Sequence, residues 1–416
     1  MELYDLLKEI DFERLAGSVG EKKARDIFKK YLKSWGLKFK EHKFELNTFD
    51  TGTATVDVQG TEIKAQPMGL VKTTKVSGEL CFIENAELVL CQKGMLKDKI
   101  VLTFTRLPVL ADRLKEEGVA AVIYITPPYK DVYCMNLRQK TYEDGAVPAV
   151  YISYEDGKML SRKCGENVTV KIEQITAKRK SYNLVVNIPG TGADKTLTCL
   201  VAHYDTVALS HGSNDNSAGS VILMKIAEYF SKNPPLRDLR IIFFSGEELG
   251  LLGSFAYTKD FKDELKDRMG LCINVDVSGD DLGVDSFTAL ATNEILGYVD
   301  GIYKEEGLVF NKSLDIYSSD CMPFSVFEIP SINLQRWGGE STFFLHTAHD
   351  TAEKVTQRGL ESTFYATKIL CERLLNSKIY PVKSGIDQSL RDKVEKYLYN
   401  STKQEPKLEW KKKYEK

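Results

Sequence analysis

Apolar and polar positions along the chain follow two different periods. Residues 38–46 alternate weakly, and residues 168–173 alternate as VTVKIE, so both predict β-strands. Residues 1–31 instead space apolar side chains three and four positions apart, which is typical of amphipathic helices. A pair of helices is therefore predicted at the start of the chain, with these apolar positions: Leu3, Leu6, Leu7, Ile10, Ala24, Ile27, Phe28 and Tyr31.

From residue 181 onward, continuous apolar runs alternate with helical patterns. Helices are predicted at residues 216–230 and at about 353–375. Apolar strands joined by helices are typical of a sheet that is covered on both faces. We therefore predict an α/β fold, in which helices sandwich a mostly parallel mixed sheet. The strand sequences are SYNLVVNIPG, LTCLVAH, LRIIFFS, LCINVDVS and PSINLQ.

The change of pattern also suggests a domain organisation. A chain of 416 residues is long enough for two domains. We predict that residues 1–46 form helices packed on the main domain, which spans residues 176–380. Residues 47–175 are predicted to form an inserted, smaller, β-rich α+β domain. Residues 381–416 are predicted to form a charged tail, either a frayed helix or disordered.

Composition narrows the function classes. The 57 Lys and Arg residues nearly balance the 59 Asp and Glu residues, so charge gives no reason to expect nucleic acid or an anionic membrane as a partner. No apolar run is long enough for a membrane span, and the first residues have no signal-peptide core. Eight scattered cysteines without a CxxC pair suggest reduced thiols. We therefore expect a cytoplasmic protein, which could be an oligomer.

Acids and histidines follow the ends of the predicted parallel strands. Ligands of such sheets bind beyond the carboxyl ends of the strands. Two histidines and several carboxylates at one edge would be costly to bury without cations, and two divalent metals would remove that cost. Imidazole and carboxylate ligands suit zinc, with cobalt or manganese as possible substitutes. The candidates are His203, Asp205, Asp215, Glu247, Glu248, Asp276 and His346.

Six motifs occur in order within residues 181–375. They are A-H-Y-D-T (202–206), N-D-N-S-A-G (214–219), S-G-E-E-L-G-L-L-G-S (245–254), N-V-D (274–276), S-S-D-C-M-P-F (318–324) and H-T-A-H-D-T (346–351). In this order the chain resembles the M28 family of zinc aminopeptidases, and six matches in order are far more specific than one isolated motif. The resemblance implies the zinc exopeptidase fold, two zinc ions per chain and peptide substrates with a free N-terminus.

The resemblance implies a ligand role for five residues. His203 and Asp276 would hold one zinc ion, and Glu248 and His346 would hold the other. Asp215 would bridge the two ions. The position of Asp215, 12 residues after His203, also favours M28 over the M20 metallopeptidases, in which the bridging Asp falls much further along the chain.

Three further residues receive roles that do not involve metal ligation. Glu247 is implied as the general base, and Asp205 would orient the imidazole ring of His203. Tyr317 is a candidate hydrogen-bond donor to the oxyanion.

The remaining histidines are weaker candidates. His349 could compete with His346, but the family pattern places the ligand at the first histidine of H-T-x-x-D-T. His42 is expected at the surface without a partner, and His211 is expected near the site without ligating metal. Cys321 stands where many relatives have histidine, and its thiol could approach the metals or simply pack.

Three other functions stay open on this fold. A glutaminyl cyclase would use one zinc ion, although the complete ligand set favours two. A carboxypeptidase or dipeptidase would need a cation for a substrate carboxylate, and Arg336 could supply it, although a surface-loop role is the simpler interpretation. A non-catalytic relative would have lost ligands, and none is missing from the sequence.

The segment LKDKIVLTF, followed by EEGVAAVIYIT, resembles a protease-associated domain. Such an insert could shape the entrance of an active site. It could equally be a passive β-rich insertion, since the matching core is short.

Overall fold

The computed structural model describes residues 2–84, 94–104, 113–133, 135–402, 406–408 and 410. The chain begins with two helices, α1 (Leu3–Glu9) and α2 (Val19–Ser34), and the Ser18 side chain caps α2 by accepting from the Glu21 N–H. Buried side chains on both helices, among them Leu6, Leu7 and Phe28, join the main core. The predicted pair of helices is therefore confirmed.

The strands are distributed over a large sheet and a barrel. The sheet contains β1 and β9 to β15, and the barrel contains β2 to β8. In chain order they are β1 (Phe39–Phe49), β2 (Thr53–Val58), β3 (Thr61–Pro67), β4 (Thr74–Ile83), β5 (Ile100–Thr103), β6 (Ala121–Ile125), β7 (Ala149–Ile152), β8 (Asn167–Glu173), β9 (Thr176–Ile188), β10 (Leu197–His203), β11 (Asp238–Phe244), β12 (Met269–Val275), β13 (Val284–Leu290), β14 (Asn311–Leu314) and β15 (Ser331–Trp337).

The large sheet has the order β1-β9-β11-β10-β12-β15-β13-β14. The four central strands, β11, β10, β12 and β15, run parallel to one another. The β1–β9, β9–β11 and β13–β15 pairs are antiparallel. The predicted α/β fold with a mixed sheet is confirmed. Because the central strands are parallel, their carboxyl ends meet at one edge, where the candidate residues lie.

Helices cover both faces of this sheet. Side chains that alternate along β11, such as Ile241 and Ile242, enter different clusters on opposite faces. After α1 and α2, the helices are α3 (Gln139–Glu143), α4 (Tyr154–Ser161), α5 (Ala218–Lys232), α6 (Leu252–Asp260), α7 (Lys262–Arg268), α8 (Asn293–Glu305), α9 (Ser341–Phe344), α10 (Gln357–Leu375) and α11 (Gln388–Thr402). One face of the sheet packs against α1, α2, α5, α8 and α10, and the other face packs against α6 and α7.

The smaller β-rich segment is a closed seven-stranded barrel with the order β2-β3-β7-β6-β5-β4-β8. On β8, Val168, Val170 and Ile172 point into the barrel core, which explains the alternation read from the sequence. The chain leaves the large sheet at Phe49 and re-enters it at Thr176, and these two residues pair in the β1–β9 ladder. A closed barrel was not part of the expectation for residues 47–175.

The C-terminal segment differs from the expected charged tail. Residues 388–402 form α11, and Leu390, Val394 and Leu398 are buried four positions apart on one face. The Arg391 guanidinium lies 5.6 Å from the centroid of the Trp410 ring. The prediction was wrong for α11, because it followed the high charge of this segment and overlooked the regular spacing of its apolar residues. Residues 403–405, 409 and 411–416 lie outside the described residues.

The cysteines and the helices can be compared with the predictions of reduced thiols and of no membrane span. The described cysteines, Cys81, Cys164, Cys199, Cys272, Cys321 and Cys371, are free thiols, and Cys91 and Cys134 lie outside the described residues. Within the described ranges, no helix combines the length and apolar character needed to cross a membrane. The cytoplasmic location stays a prediction.

Candidate metal and active site

The parallel strands deliver the predicted residues to one edge of the large sheet. His203 is the last residue of β10, Asp276 directly follows β12, and Glu247 and Glu248 lie in the turn after β11. Asp215 lies in a tight turn just before α5. His346 reaches the same point from the loop after β15, and its φ of 61° is left-handed. The structure therefore brings the five predicted ligands together.

Asp215 lies at the centre of these side chains. His203 Nε2 lies 3.0 Å from Asp215 Oδ1 and 3.3 Å from Asp276 Oδ1. His346 Nε2 lies 3.0 Å from Asp215 Oδ2 and 3.4 Å from Glu248 Oε2. Each oxygen of Asp215 thus faces a different histidine. This is the arrangement that a carboxylate bridging two cations requires.

The donor atoms fit two metal ions. One compact group contains His203, Asp215 and Asp276, and a second contains Asp215, Glu248 and His346. Glu248 Oε1 is buried and has no hydrogen-bond partner among the described residues. A buried carboxylate oxygen without a donor is costly, and a cation would satisfy it.

The electrostatics of the site also indicate missing positive charge. Burial by itself would lower the pKa of His203, but Asp205, Asp215 and Asp276 outweigh it and raise that pKa well above the ordinary value. Burial would likewise lower the pKa of His346, and the nearby carboxylates raise it. A cluster that draws protons onto the buried His203 and the partly exposed His346 carries excess negative charge, which divalent cations would neutralise.

Glu247 stands apart from the two groups centred on Asp215. It shares a third compact group with His203 and Glu248 and lines the same cavity as the other site residues. Burial raises its pKa well above the ordinary value, His203 opposes that rise and Glu248 adds to it. A carboxylate with a raised pKa beside a metal site is suited to proton transfer.

Asp205 makes contacts beyond the predicted one with the imidazole ring of His203. Its carboxylate accepts the main-chain N–H groups of Glu247 at 3.2 Å and Glu248 at 3.3 Å. His203 Nδ1 lies 3.2 Å from the Asp205 carbonyl oxygen but 3.7 Å from its carboxylate. The main chain of Asp205 therefore makes the closer contact with the imidazole, whereas its side chain holds the turn that carries both glutamates.

Asp350 is a site residue to which the sequence analysis assigns no role. Its carboxylate accepts from the main-chain N–H of Asn214 at 2.8 Å and of Asp215 at 3.1 Å. Burial raises the pKa of Asp350 to about 7. Its place in the H-T-A-H-D-T motif was the available signal, but only the fold shows that it holds the turn of the bridging residue.

Arg14 was also missed, because it lies in a segment read only as amphipathic helix. Its buried guanidinium donates to the carbonyl oxygens of Tyr204 at 2.7 Å, His211 at 2.6 Å and Gly212 at 3.2 Å. Burial is the main cause that lowers its pKa to about 10. Arg14 therefore ties the N-terminal segment to the loop between His203 and Asp215.

The other histidines lie outside the metal groups found among the described residues. His349 is exposed and contacts Asp131, and His211 Nδ1 lies 3.0 Å from Asp11 Oδ1. The expectation for His42 was wrong. It is largely buried, and its Nε2 lies 3.0 Å from Asp260.

Two other candidates have structural surroundings. Arg336 is buried, pairs with Asp285 at 2.8 Å and donates to the Asp280 carbonyl oxygen, so the surface-loop interpretation was wrong. Cys321 is buried in a hydrophobic cluster that includes Phe324, and its Sγ lies 3.7 Å from the Tyr317 carbonyl oxygen. Both side chains are thus used in packing or pairing within the protein.

Two cavities meet at the candidate ligands Asp215 and His346. The first, of about 490 Å³, also includes Glu247, Tyr317 and Tyr397 among its lining residues. The second, of about 510 Å³, extends toward the barrel. Burial raises the pKa of Tyr317 well above the ordinary value, so its phenol stays protonated and can donate a hydrogen bond.

Comparison with known sequences places this geometry in a family. Residues 183–368 match peptidase family M28. The aminopeptidase YwaD of Bacillus subtilis is 26% identical over 370 residues, which cover 85% of this chain and 80% of that protein. The probable leucine aminopeptidase 2 of Trichophyton verrucosum is 25% identical over 283 residues, which cover 64% of this chain but only 54% of that protein.

Solved structures share the fold. A zinc aminopeptidase from Bacillus subtilis superposes with a TM-score of 0.75 at 22% identity, covering 92% of this chain and 97% of that one. An M28 peptidase precursor from Shewanella amazonensis superposes with a TM-score of 0.77 at 21% identity, covering 93% of this chain and 95% of that one. The likeness thus extends over the barrel as well as the large sheet.

Proposed function

The chain belongs to peptidase family M28 and is a peptidase, and on this premise we propose that it is a zinc aminopeptidase with two metal ions. The observation that carries the proposal is Asp215, whose two carboxylate oxygens face His203 and His346 at 3.0 Å each. A single-metal enzyme would not need that symmetric arrangement. Aminopeptidase relatives support the choice of substrate class.

Five side chains would hold the metals. His203 and Asp276 belong to one ion, Glu248 and His346 belong to the other, and Asp215 is shared. Two bound zinc ions would supply an activated water and polarise the scissile carbonyl. Cobalt and manganese suit the same donors and are possible substitutes.

Glu247 is the proposed general base. It would accept a proton from the attacking water and then deliver that proton to the leaving amine, which requires a carboxylate free of metal ligation. Asp205 fixes the main chain of both glutamates, so that Glu248 can ligate while Glu247 remains available. Tyr317 is the proposed hydrogen-bond donor to the developing oxyanion.

The barrel is proposed to act as an inserted domain that shapes the entrance to the site. Asn136 and Arg138 follow β6 of the barrel and line the 490 Å³ cavity together with Tyr397 of α11. These walls surround the metal ligands from two sides. A chain end fits such a space more readily than the middle of a long polypeptide, which favours an exopeptidase.

Mass spectrometry of a peptide library tests the proposal. Half of the peptides would be N-acetylated, zinc would be added, and Glu247→Gln would serve as the control variant. We expect stepwise loss of N-terminal residues from free-amine peptides only, with the rate of the variant reduced at least a hundredfold. Trimming of C-termini, cleavage of acetylated peptides, or loss of ammonia from N-terminal Gln without cleavage would refute the aminopeptidase assignment.

A further inference from the structure

The 510 Å³ cavity has a wall that the family motifs do not contain. Tyr124, Tyr133 and Tyr151 of the barrel segment line it together with Trp337 and the candidate ligand His346. The Tyr124 and Tyr151 rings lie 5.5 Å apart, and the Tyr133 and Tyr151 rings lie 5.9 Å apart. A substrate held at the metals would therefore extend one of its groups toward this aromatic wall.

Lys130 contributes a cationic side chain to the lining of this cavity. Its Nζ lies 5.3 Å from the centroid of the Tyr133 ring, and burial lowers its pKa. In the part of the chain that the structure describes, no carboxylate forms an ion pair with it. The adjacent Asp131 contacts His349 instead. Lys130 is thus a half-buried cation without an anionic partner among the described residues.

A carboxylate group of a bound molecule would complement the charge of the Lys130 ammonium group. An ammonium group that is partly removed from water gains most from an anion, because the aromatic walls exclude solvent and weaken dielectric screening. Hydrogen bonds between charged groups are also stronger than those between neutral groups. Asp215 lines the same cavity, but it is already shared between the two histidines of the metal site.

We propose that Lys130 is a specificity residue that binds a carboxylate of the substrate in this cavity. The inference rests on the proposed aminopeptidase function, since the metals would hold the other end of the substrate. Two groups of a peptide carry this chemistry: an acidic side chain at the first position, and the C-terminal carboxylate of a short peptide. Both are consistent with a cation beside the metal ligands.

Two pairs of peptides distinguish these sources. Glu-Ala-Ala is compared with Gln-Ala-Ala, and Ala-Ala-Ala is compared with its C-terminal amide. The ratio of kcat/KM within each pair is measured for the wild type, Lys130→Met, Lys130→Gln and Lys130→Arg. Lys64→Met is the matched control, because Lys64 is an exposed lysine of the same barrel on β3. Circular dichroism verifies that each variant is folded.

We expect one ratio to favour the carboxylate in the wild type and to fall about tenfold in both neutral variants, while Lys130→Arg retains it. A fall in the Glu/Gln ratio assigns the side-chain carboxylate, and a fall in the acid/amide ratio assigns the C-terminus. Equal ratios in the wild type and the neutral variants, with peptides still cleaved, would overturn the role of Lys130 alone. A wild type that cleaves none of the four peptides would overturn the proposed function and this inference with it.

Discussion

Asp205 and Asp350 each hold a turn that carries candidate metal ligands. Each carboxylate accepts two consecutive main-chain N–H groups, Asp205 from Glu247 and Glu248, and Asp350 from Asn214 and Asp215. Hydrogen bonds to a charged acceptor contribute roughly 1.5–3 kcal/mol each. Because the ligands point from these turns, fixing the main chain also fixes the direction of the ligand side chains.

Replacing Asp350 with Asn is predicted to weaken zinc binding by about 10- to 100-fold. The amide keeps only one acceptor oxygen and directs an NH₂ group toward N–H donors, so the turn that carries Asp215 loses a hydrogen bond. Competition with a chelator of known affinity measures the change. His349→Asn is the control, because His349 lies one residue away and is exposed. Equal zinc affinities for Asp350→Asn and the wild type would contradict this positioning role.

At the scale of elements, α11 lies outside the matched residues 183–368 and packs beside the candidate site. Its buried face packs against Met322 and Leu251, which flank the site sequences. Its Tyr397 OH lies 2.7 Å from Ser318 Oγ, and both residues line the first cavity. The helix is therefore a wall of the cavity as well as a part of the core.

Leu398→Ala is predicted to lower the free energy of unfolding by about 2–5 kcal/mol, since removing a buried leucine leaves a cavity. Lys396→Ala, on the exposed side of the same helix, should change it by less than about 0.5 kcal/mol. Urea denaturation of both variants measures the difference. If the segment behaved as a frayed tail in solution, the two substitutions would have the same small effect.

At the scale of the whole molecule, the metal site joins parts of the chain that are far apart in sequence. His203 ends β10, and the other candidate ligands follow β11, β12 or β15 or precede α5. Each of them is a carboxylate or an imidazole. Without cations the carboxylates repel one another in a buried place. Metal binding should therefore stabilise the complete fold as well as enable the reaction.

Removing the metals with a chelator is predicted to lower the melting temperature. At free zinc about 100-fold above its dissociation constant, each site contributes about 2.7 kcal/mol of stability. Differential scanning calorimetry with zinc and with chelator measures the shift. Glu247→Gln should keep the shift and Asp215→Asn should lose most of it, because only the second residue is a proposed ligand. A shift that both variants lose would place Glu247 among the ligands instead.

Local patterns in the sequence determined the central strands of the large sheet and the candidate residues that follow them. Buried parallel strands must be apolar along their whole length, so LTCLVAH and LRIIFFS could be recognised as strands, and the polar residues after them could be recognised as candidates for one sheet edge. The six ordered motifs also predicted the match of residues 183–368 to peptidase family M28. These features are readable because each depends on neighbours a few residues away.

Only the tertiary structure decided which distant groups meet. Arg14 binds the carbonyl oxygen of a residue 190 positions away, and Asp350 holds a turn 135 to 136 positions away. The cavity beside Lys130 likewise becomes visible only when separate elements pack. Contacts at such separations leave no periodic trace in the sequence, because any polar or apolar residue at those positions would fit the local pattern equally well.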